Sequence, residues 1–231
     1  MKKKYAIIAA LDYEVEIIRD ALENKTEKTI LGTPVYEGTI GECDVVVMRC
    51  GMAKVSAAIG TQALIDAYHP DYVINSGCAG ALAAGLGIGD VVVSDVVVEW
   101  DLDLRAIGFP LGYIDALGYV EMKADAELGD RIAKAIPESE RVFRGLIVSG
   151  DAFVSTDEQR KTIFDNFPSA LCAEMEGAAV AHTCLQNGVP FCIIRAMSDT
   201  ADHDSTVDFA AIAAQSGRKS AALMLRMLRD A

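Results

Sequence analysis

Four short stretches place acids, small residues and one aromatic where a ligand could be held: Leu11-Asp12-Tyr13-Glu14, Asn75-Ser76-Gly77-Cys78-Ala79-Gly80, Ser149-Gly150-Asp151-Ala152-Phe153-Val154 and Arg195-Ala196-Met197-Ser198-Asp199. Each comes after an apolar run that reads as a strand, and open α/β sheets bind ligands beyond the carboxyl ends of their strands. Glu14, in a first helical turn, suits either a helix dipole or chemistry. The segment 75–80 lacks both G-x-G-x-x-G spacing and a following Lys-Ser or Lys-Thr, so it is neither a dinucleotide fingerprint nor a phosphate loop. Its small residues still let a ligand approach the backbone closely. Phe153 fits a core position or a stacking platform.

Arg195 lies inside the apolar run 191–197. Period-two alternation puts Arg195 and Asp199 on one side if the strand persists that far. A buried guanidinium needs a carboxylate, supplied by Glu174 or Glu176. On a helix those two point about 200° apart, so only one faces a given crevice. The constellation is three or four acids, an arginine, an aromatic and a glycine-rich floor. It suits cleavage through a cation-like transition state, one carboxyl group giving a proton while another activates water, as in glycoside hydrolysis.

The elements that must position these residues alternate along the chain. Strands are expected at 5–10, 71–76, 91–99, 146–149 and 191–197, and a hairpin pairs 34–40 with 43–50 across Gly41-Glu42. Helices are expected from Leu11 with Asp12 as cap, then at 53–68, 124–136 (stopped by Pro137), 175–186 and 207–229. Strands apolar on both faces and separated by helices imply one α/β domain over 1–231, with a mixed, mostly parallel central sheet flanked by helices. The irregular tract 101–118 reads as a long surface loop or a partner contact.

Composition excludes several classes. A chain of 231 residues that is 52% hydrophobic buries a core, and a net charge of −13 repels phosphate backbones and anionic membranes, so neither nucleic acid nor a membrane is an expected partner. Cysteines at 43, 50, 78, 172, 184 and 192 form no C-x-x-C pair and the three histidines form no ligand cluster, so no metal or other cofactor is expected. The apolar start ends at Asp12, too short for a signal peptide, and the uncharged tract 72–89 carries Asn75, Ser76 and five glycines, which suit a buried strand and turn. A cytoplasmic protein with reduced thiols is expected.

The segments ALDYEVE (10–16), GMAKV (51–55), NSGCAG (75–80), GDVVVSD (89–95), GLIVSGDAFV (145–154), AEMEGAAVAH (173–182) and RAMSDTAD (195–202) together resemble the 5′-methylthioadenosine/S-adenosylhomocysteine nucleosidases, which have a nucleoside phosphorylase-like fold. The segments run in the family's order across nearly the whole chain. The resemblance implies hydrolysis of the N-glycosidic bond of an adenine nucleoside. Glu14 would deprotonate the attacking water and Asp199 would donate a proton toward purine N7. Adenine would stack on Phe153 and bond to the Val154 backbone, while Met175 and Glu176 hold the ribose. Ala79 and Gly80 would line the floor, Ser198 would place Asp199, and Arg195 would support the acidic pair. A homodimer is implied, with Leu104, Ile107 and Phe109 of one subunit closing the 5′ pocket of the other.

The sequence departs from the family at three places: Cys78 replaces a hydroxyl residue near the water, Gly51-Met52-Ala53 replaces Gly-Ile-Gly in a way expected to narrow the pocket, and 112–120 lacks the usual Gln and Pro-Gly pattern. The nearest rival activity is a purine nucleoside phosphorylase, disfavoured because a carboxylate such as Glu14 repels a phosphate dianion. Other nucleosidases of this fold would need polar or basic groups around the 5′ arm, and a nucleoside-binding protein without catalysis would not need Glu14 and Asp199. For Asp199, burial beside Glu14 and Glu176 is expected to raise the pKa, with Arg195 committed to Glu174.

Overall fold

The structure is a computed structural model describing residues 2–200 and 209–230. Strands β1 (Lys4–Ala9), β4 (Cys43–Arg49) and β5 (Tyr72–Ala81) run parallel with β1 between the other two. Strand β10 (Phe191–Thr200) lies parallel to β5 on its other edge. Strands β6 (Val91–Glu99), β8 (Val142–Ser149) and β9 (Ala170–Glu174) form a second parallel run. Antiparallel pairings join the runs, β10 to β6 and the end of β5 to β9, so five strands close on themselves in a ring. Beyond β1 and β4, the antiparallel strands β3 (Thr33–Ile40) and β2 (Glu23–Ile30) extend the sheet as a wing, and the two-residue β7 (Met122–Lys123) flanks β6. The sheet is mixed, with parallel pairs through its centre.

Both faces are covered, which is why the strands read as unbroken apolar runs. On β1, Tyr5, Ile7 and Ala9 pack toward α1 (Asp12–Ala21), α3 (Ala126–Ala135) and α6 (Phe209–Arg229), in one cluster with Val15, Ile18, Leu128, Ile132 and Met224. Alternate residues Ala6 and Ile8 pack toward α2 (Lys54–Tyr68) and α5 (Gly177–Asn187), with Ala57, Leu64, Val180 and Cys184. A third cluster joins Val98 and Val148 to α4 (Asp157–Asn166) through Ile163, with Phe167 just beyond that helix.

The expected hairpin is present, Ile40 pairing with Cys43 across Gly41-Glu42. The expected strand at 71–76 runs on to Ala81 and carries the small-residue floor with it. Asp12 does not cap α1: Leu11 holds the extended cap position, and Asp12 is the first helical residue, largely exposed and 3.7 Å from Arg49. The helix expected at 175–186 starts at Gly177, so Met175 and Glu176 precede it. The start of the expected 207–229 helix and the end of the 195–202 segment lie outside the described residues. The tract 101–118 is a surface loop with one 3-10 turn, Arg105–Ile107. No helix among the described residues is long and apolar enough to cross a membrane.

Candidate active site

Only Ala10 and Leu11 separate β1 from α1, so the helix starts over the end of the sheet with unpaired N–H groups to satisfy. Glu14, in the first turn, reaches back to do so. Its Oε2 accepts the N–H groups of Ala10 (3.0 Å) and Leu11 (2.9 Å), and its Oε1 accepts Cys78 N–H at 3.2 Å. Glycine at 77 is required for this approach, since a Cβ there would lie 2.8 Å from Glu14 Oε1. Glu14 is 3% exposed. Burial pushes its pKa up, against the pull of Arg195 and the three backbone N–H donors.

Arg195 on β10 pairs with Gly77 on β5 and is 1% exposed. Its NH2 donates to Asn75 Oδ1 at 2.5 Å and to Glu174 Oε2, and lies 3.7 Å from Glu176 Oε2. Both acids therefore meet the guanidinium. The helical argument for a 200° separation fails because Glu174 ends β9 and Glu176 is the non-helical residue capping α5. Glu174 takes the structural part: it also accepts Ser149 Oγ–H and the N–H groups of Glu176 (3.1 Å) and Gly177 (2.8 Å), anchoring the start of α5. Glu176 Oε1 accepts Ala53 N–H at 2.9 Å. Burial, then the neighbouring Glu174, pushes the Glu176 pKa up to about 7, against Arg195.

Strand β10 persists to Thr200, but its register on β5 slips between Met197 and Asp199, so Asp199 lies opposite Gly80. Such a bulge reverses the facing of the residues after it, so the expected alternation with Arg195 is broken. A Cβ at Gly80 would lie 3.0 Å from Asp199 Oδ2, so this floor position also has to be small. Ser198 Oγ–H donates to Asp199 Oδ1 at 2.7 Å. Burial raises the Asp199 pKa and the Ser198 bond opposes it. The direction matches expectation; the cause is burial rather than the neighbouring acids.

These groups surround a cavity of about 150 Å³ lined by Glu14, Glu174, Glu176 and Asp199, with Leu11, Tyr13, Met52, Cys78, Ala79, Gly80, Phe153, Met175, Ser198 and Ala213 among its walls. A smaller recess adjoins it at Phe153, Val154, Met175 and Asp199. Phe153 is 51% exposed over this opening and so is not a core residue. Arg195 lies behind the acids and does not line the cavity. Leu104, Ile107 and Phe109 do not line it either; Ile107 is 71% exposed, while Leu104 is half-buried and Phe109 stacks on Tyr113. Of the three residues implied to close a partner's pocket, only Ile107 is therefore an exposed apolar side chain. Among the described residues no group of three or more His, Cys, Asp or Glu could hold a metal.

Sequence reasoning marked Ala53 as standing where the family has glycine but took the change only to narrow the pocket; its φ of 74° and ψ of 166° fall in a region that only glycine adopts without strain, and its N–H holds Glu176. Sequence reasoning missed the use of Asn75 and Ser149, although a buried Asn inside a strand run and a serine at a strand end were visible signals.

A ring of mixed sheet with helices on both faces and an acidic cleft at the strand ends defines the class: a family profile described as "Phosphorylase superfamily" matches residues 4–229, and the chain belongs to that superfamily. Within it, the 5′-methylthioadenosine/S-adenosylhomocysteine nucleosidase of Staphylococcus saprophyticus is 41% identical over 224 residues, covering 96% of this chain and 98% of that protein. The chain belongs to this nucleosidase family. The nucleosidase of Neisseria meningitidis, solved in complex with methylthio-immucillin-A, superposes with a TM-score of 0.94 at 34% identity, covering 99% of this chain and 100% of the other. That of Colwellia psychrerythraea, solved in complex with adenine, gives 0.93 at 35% identity over 99% and 95% of the two chains.

Proposed function

We propose that the protein hydrolyses the N-glycosidic bond of 5′-methylthioadenosine and S-adenosylhomocysteine, releasing adenine and the 5-thioribose product. The observation that carries this reading is the cavity lining: four carboxylates and, among the described residues, no lysine or arginine. A dianionic phosphate nucleophile would meet repulsion there, whereas neutral water meets a base. Arg195, the nearest cation, is spent on Asn75 and the two glutamates.

In this reading Glu14 takes a proton from water as the water oxygen bonds to C1′. Its raised pKa makes it a stronger base than an ordinary carboxylate. As C1′–N9 breaks, its electron pair enters the purine, and Asp199 supplies the proton that neutralises N7. Burial favours the protonated Asp199 that this step needs. Phe153 stacks on adenine, the Val154 backbone bonds to it, and Met175 and Glu176 hold the ribose, with Glu176 accepting from its hydroxyls. Positive charge developing on the sugar is favoured by the surrounding carboxylates. Incubation with each nucleoside in phosphate-free buffer tests the assignment: adenine is released without phosphate, and an absolute phosphate requirement would overturn it.

The partner reading is also ours: two copies pair so that the loop carrying Leu104, Ile107 and Phe109 closes the 5′ end of the other copy's cavity. The exposure of Ile107 on a 3-10 turn supports it, because an apolar side chain so placed gains by being covered.

A further inference from the structure

Lys54 opens α2 immediately after the strained Ala53 and belongs to none of the roles assigned above. Its side chain is 16% exposed, and its ammonium group lies 2.7 Å from Asp101 Oδ1, 3.1 Å from Glu99 Oε2 and 4.0 Å from Asp151 Oδ2. Its backbone N–H donates to Asp151 Oδ1 at 2.8 Å. Asp101 in turn accepts Asp151 N–H at 2.7 Å, so the acidic segments are tied to each other as well as to the cation. The three acids come from the end of β6, the loop leaving β6, and the segment after β8. A Cβ on Gly150 would lie 2.5 Å from Trp100 Nε1 and 2.9 Å from Asp101 Cγ, so the Gly150 backbone packs against these two side chains as closely as glycine permits.

Two of the tied segments run directly into the nucleoside site: Asp151 is two residues from Phe153, and Ala53 presents its N–H to Glu176, while Asp101 leads into the loop of Leu104, which the partner reading places at the other copy's cavity. Without the ammonium group, the partly buried carboxylates of Glu99 and Asp101 and the exposed one of Asp151 would face one another, and their repulsion would push these segments apart.

We propose that Lys54 is a positioning residue: one cation that locks the Gly51–Ala53 turn, the loop leaving β6 and the Gly150–Val154 segment into a single frame, so that the adenine platform and the grip on Glu176 are set before substrate arrives. The proposal rests on the nucleosidase reading. It assigns Lys54 to substrate affinity and leaves the chemistry to Glu14 and Asp199, neither of which it touches.

The test compares wild type, Lys54→Met, and Lys54→Met combined with Asp101→Asn, which removes one of the opposed charges. Adenine release from methylthioadenosine is monitored in phosphate-free buffer, alongside thermal unfolding and inhibition by free adenine. Release by wild type establishes the reading independently; its absence sinks that reading whatever the variants do. The expected result is that Lys54→Met raises KM and the adenine inhibition constant about tenfold or more, with kcat within about threefold. In the double variant the melting temperature recovers while KM stays raised, because the repulsion is relieved but the tether is still missing. If KM recovers together with the melting temperature, or never rises, Lys54 serves stability alone and the proposal is overturned. Failure of both variants to fold overturns it too.

Discussion

Glu14→Gln separates binding from chemistry, and the structure sets what each should cost. The amide oxygen keeps the N–H groups of Ala10 and Leu11, while the new NH₂ faces the N–H of Cys78, so one of three bonds is lost. A lost bond to a charged acceptor costs about 1.5–3 kcal/mol. Against this, the variant no longer buries a charge that burial already disfavours, as the raised Glu14 pKa records. The second effect offsets part of the first, so the net cost falls below about 3 kcal/mol, each 1 kcal/mol shifting the melting temperature of a chain this size by about 2–4 °C. Turnover is another matter. Removing the base that activates water costs about 100- to 10,000-fold in kcat, or roughly 3–5 kcal/mol at the transition state. The assay is adenine release in phosphate-free buffer at saturating nucleoside, with adenine affinity measured separately by calorimetry. In wild type the acid limb of the rate profile should lie above the ordinary carboxylate range, because Glu14 protonates early. Turnover near that of wild type, with folding intact, would refute the role assigned to Glu14.

Asp199→Asn should leave nucleoside affinity within about tenfold while kcat collapses, since an amide has no proton to give N7; lost affinity with normal turnover of bound substrate would make Asp199 a binding group. Glu176 is raised from 4.5 to about 7, so it contributes stability below about pH 4.5 that is lost as pH rises toward 7, about 3 kcal/mol in all. Urea unfolding at pH 5 and pH 8 should show that loss in wild type and a shallower one in Glu176→Gln; equal slopes would contradict it. Ile107→Glu should shift sedimentation from dimer to monomer and raise KM for 5′-thionucleosides, and a dimer of unchanged affinity and KM would place the partner contact elsewhere.

Burial decided which parts of the fold were legible in the sequence. The apolar runs revealed β1, β6 and β10 because a strand covered on both faces has no polar alternation to blur it. Arg195 betrayed its carboxylate partners because a guanidinium inside such a run must be paired. Strand β2 was invisible for the opposite reason: ENKTEKTI exposes nearly every residue and pairs along one edge only. Five-residue β9, which carries Glu174 to its place, is too short to show a period, and the acids at its end read as helical. Local pattern failed at the site itself, where strained and irregular backbone tends to collect. The slip after Met197 shows why. Unbroken alternation would have put Asp199 on the side of Arg195, where the guanidinium would hold its carboxyl ionised and unable to donate. The bulge turns Asp199 to face Gly80 instead, with no pull from that cation, so burial is free to raise its pKa, the direction that the proposed proton donation to N7 needs.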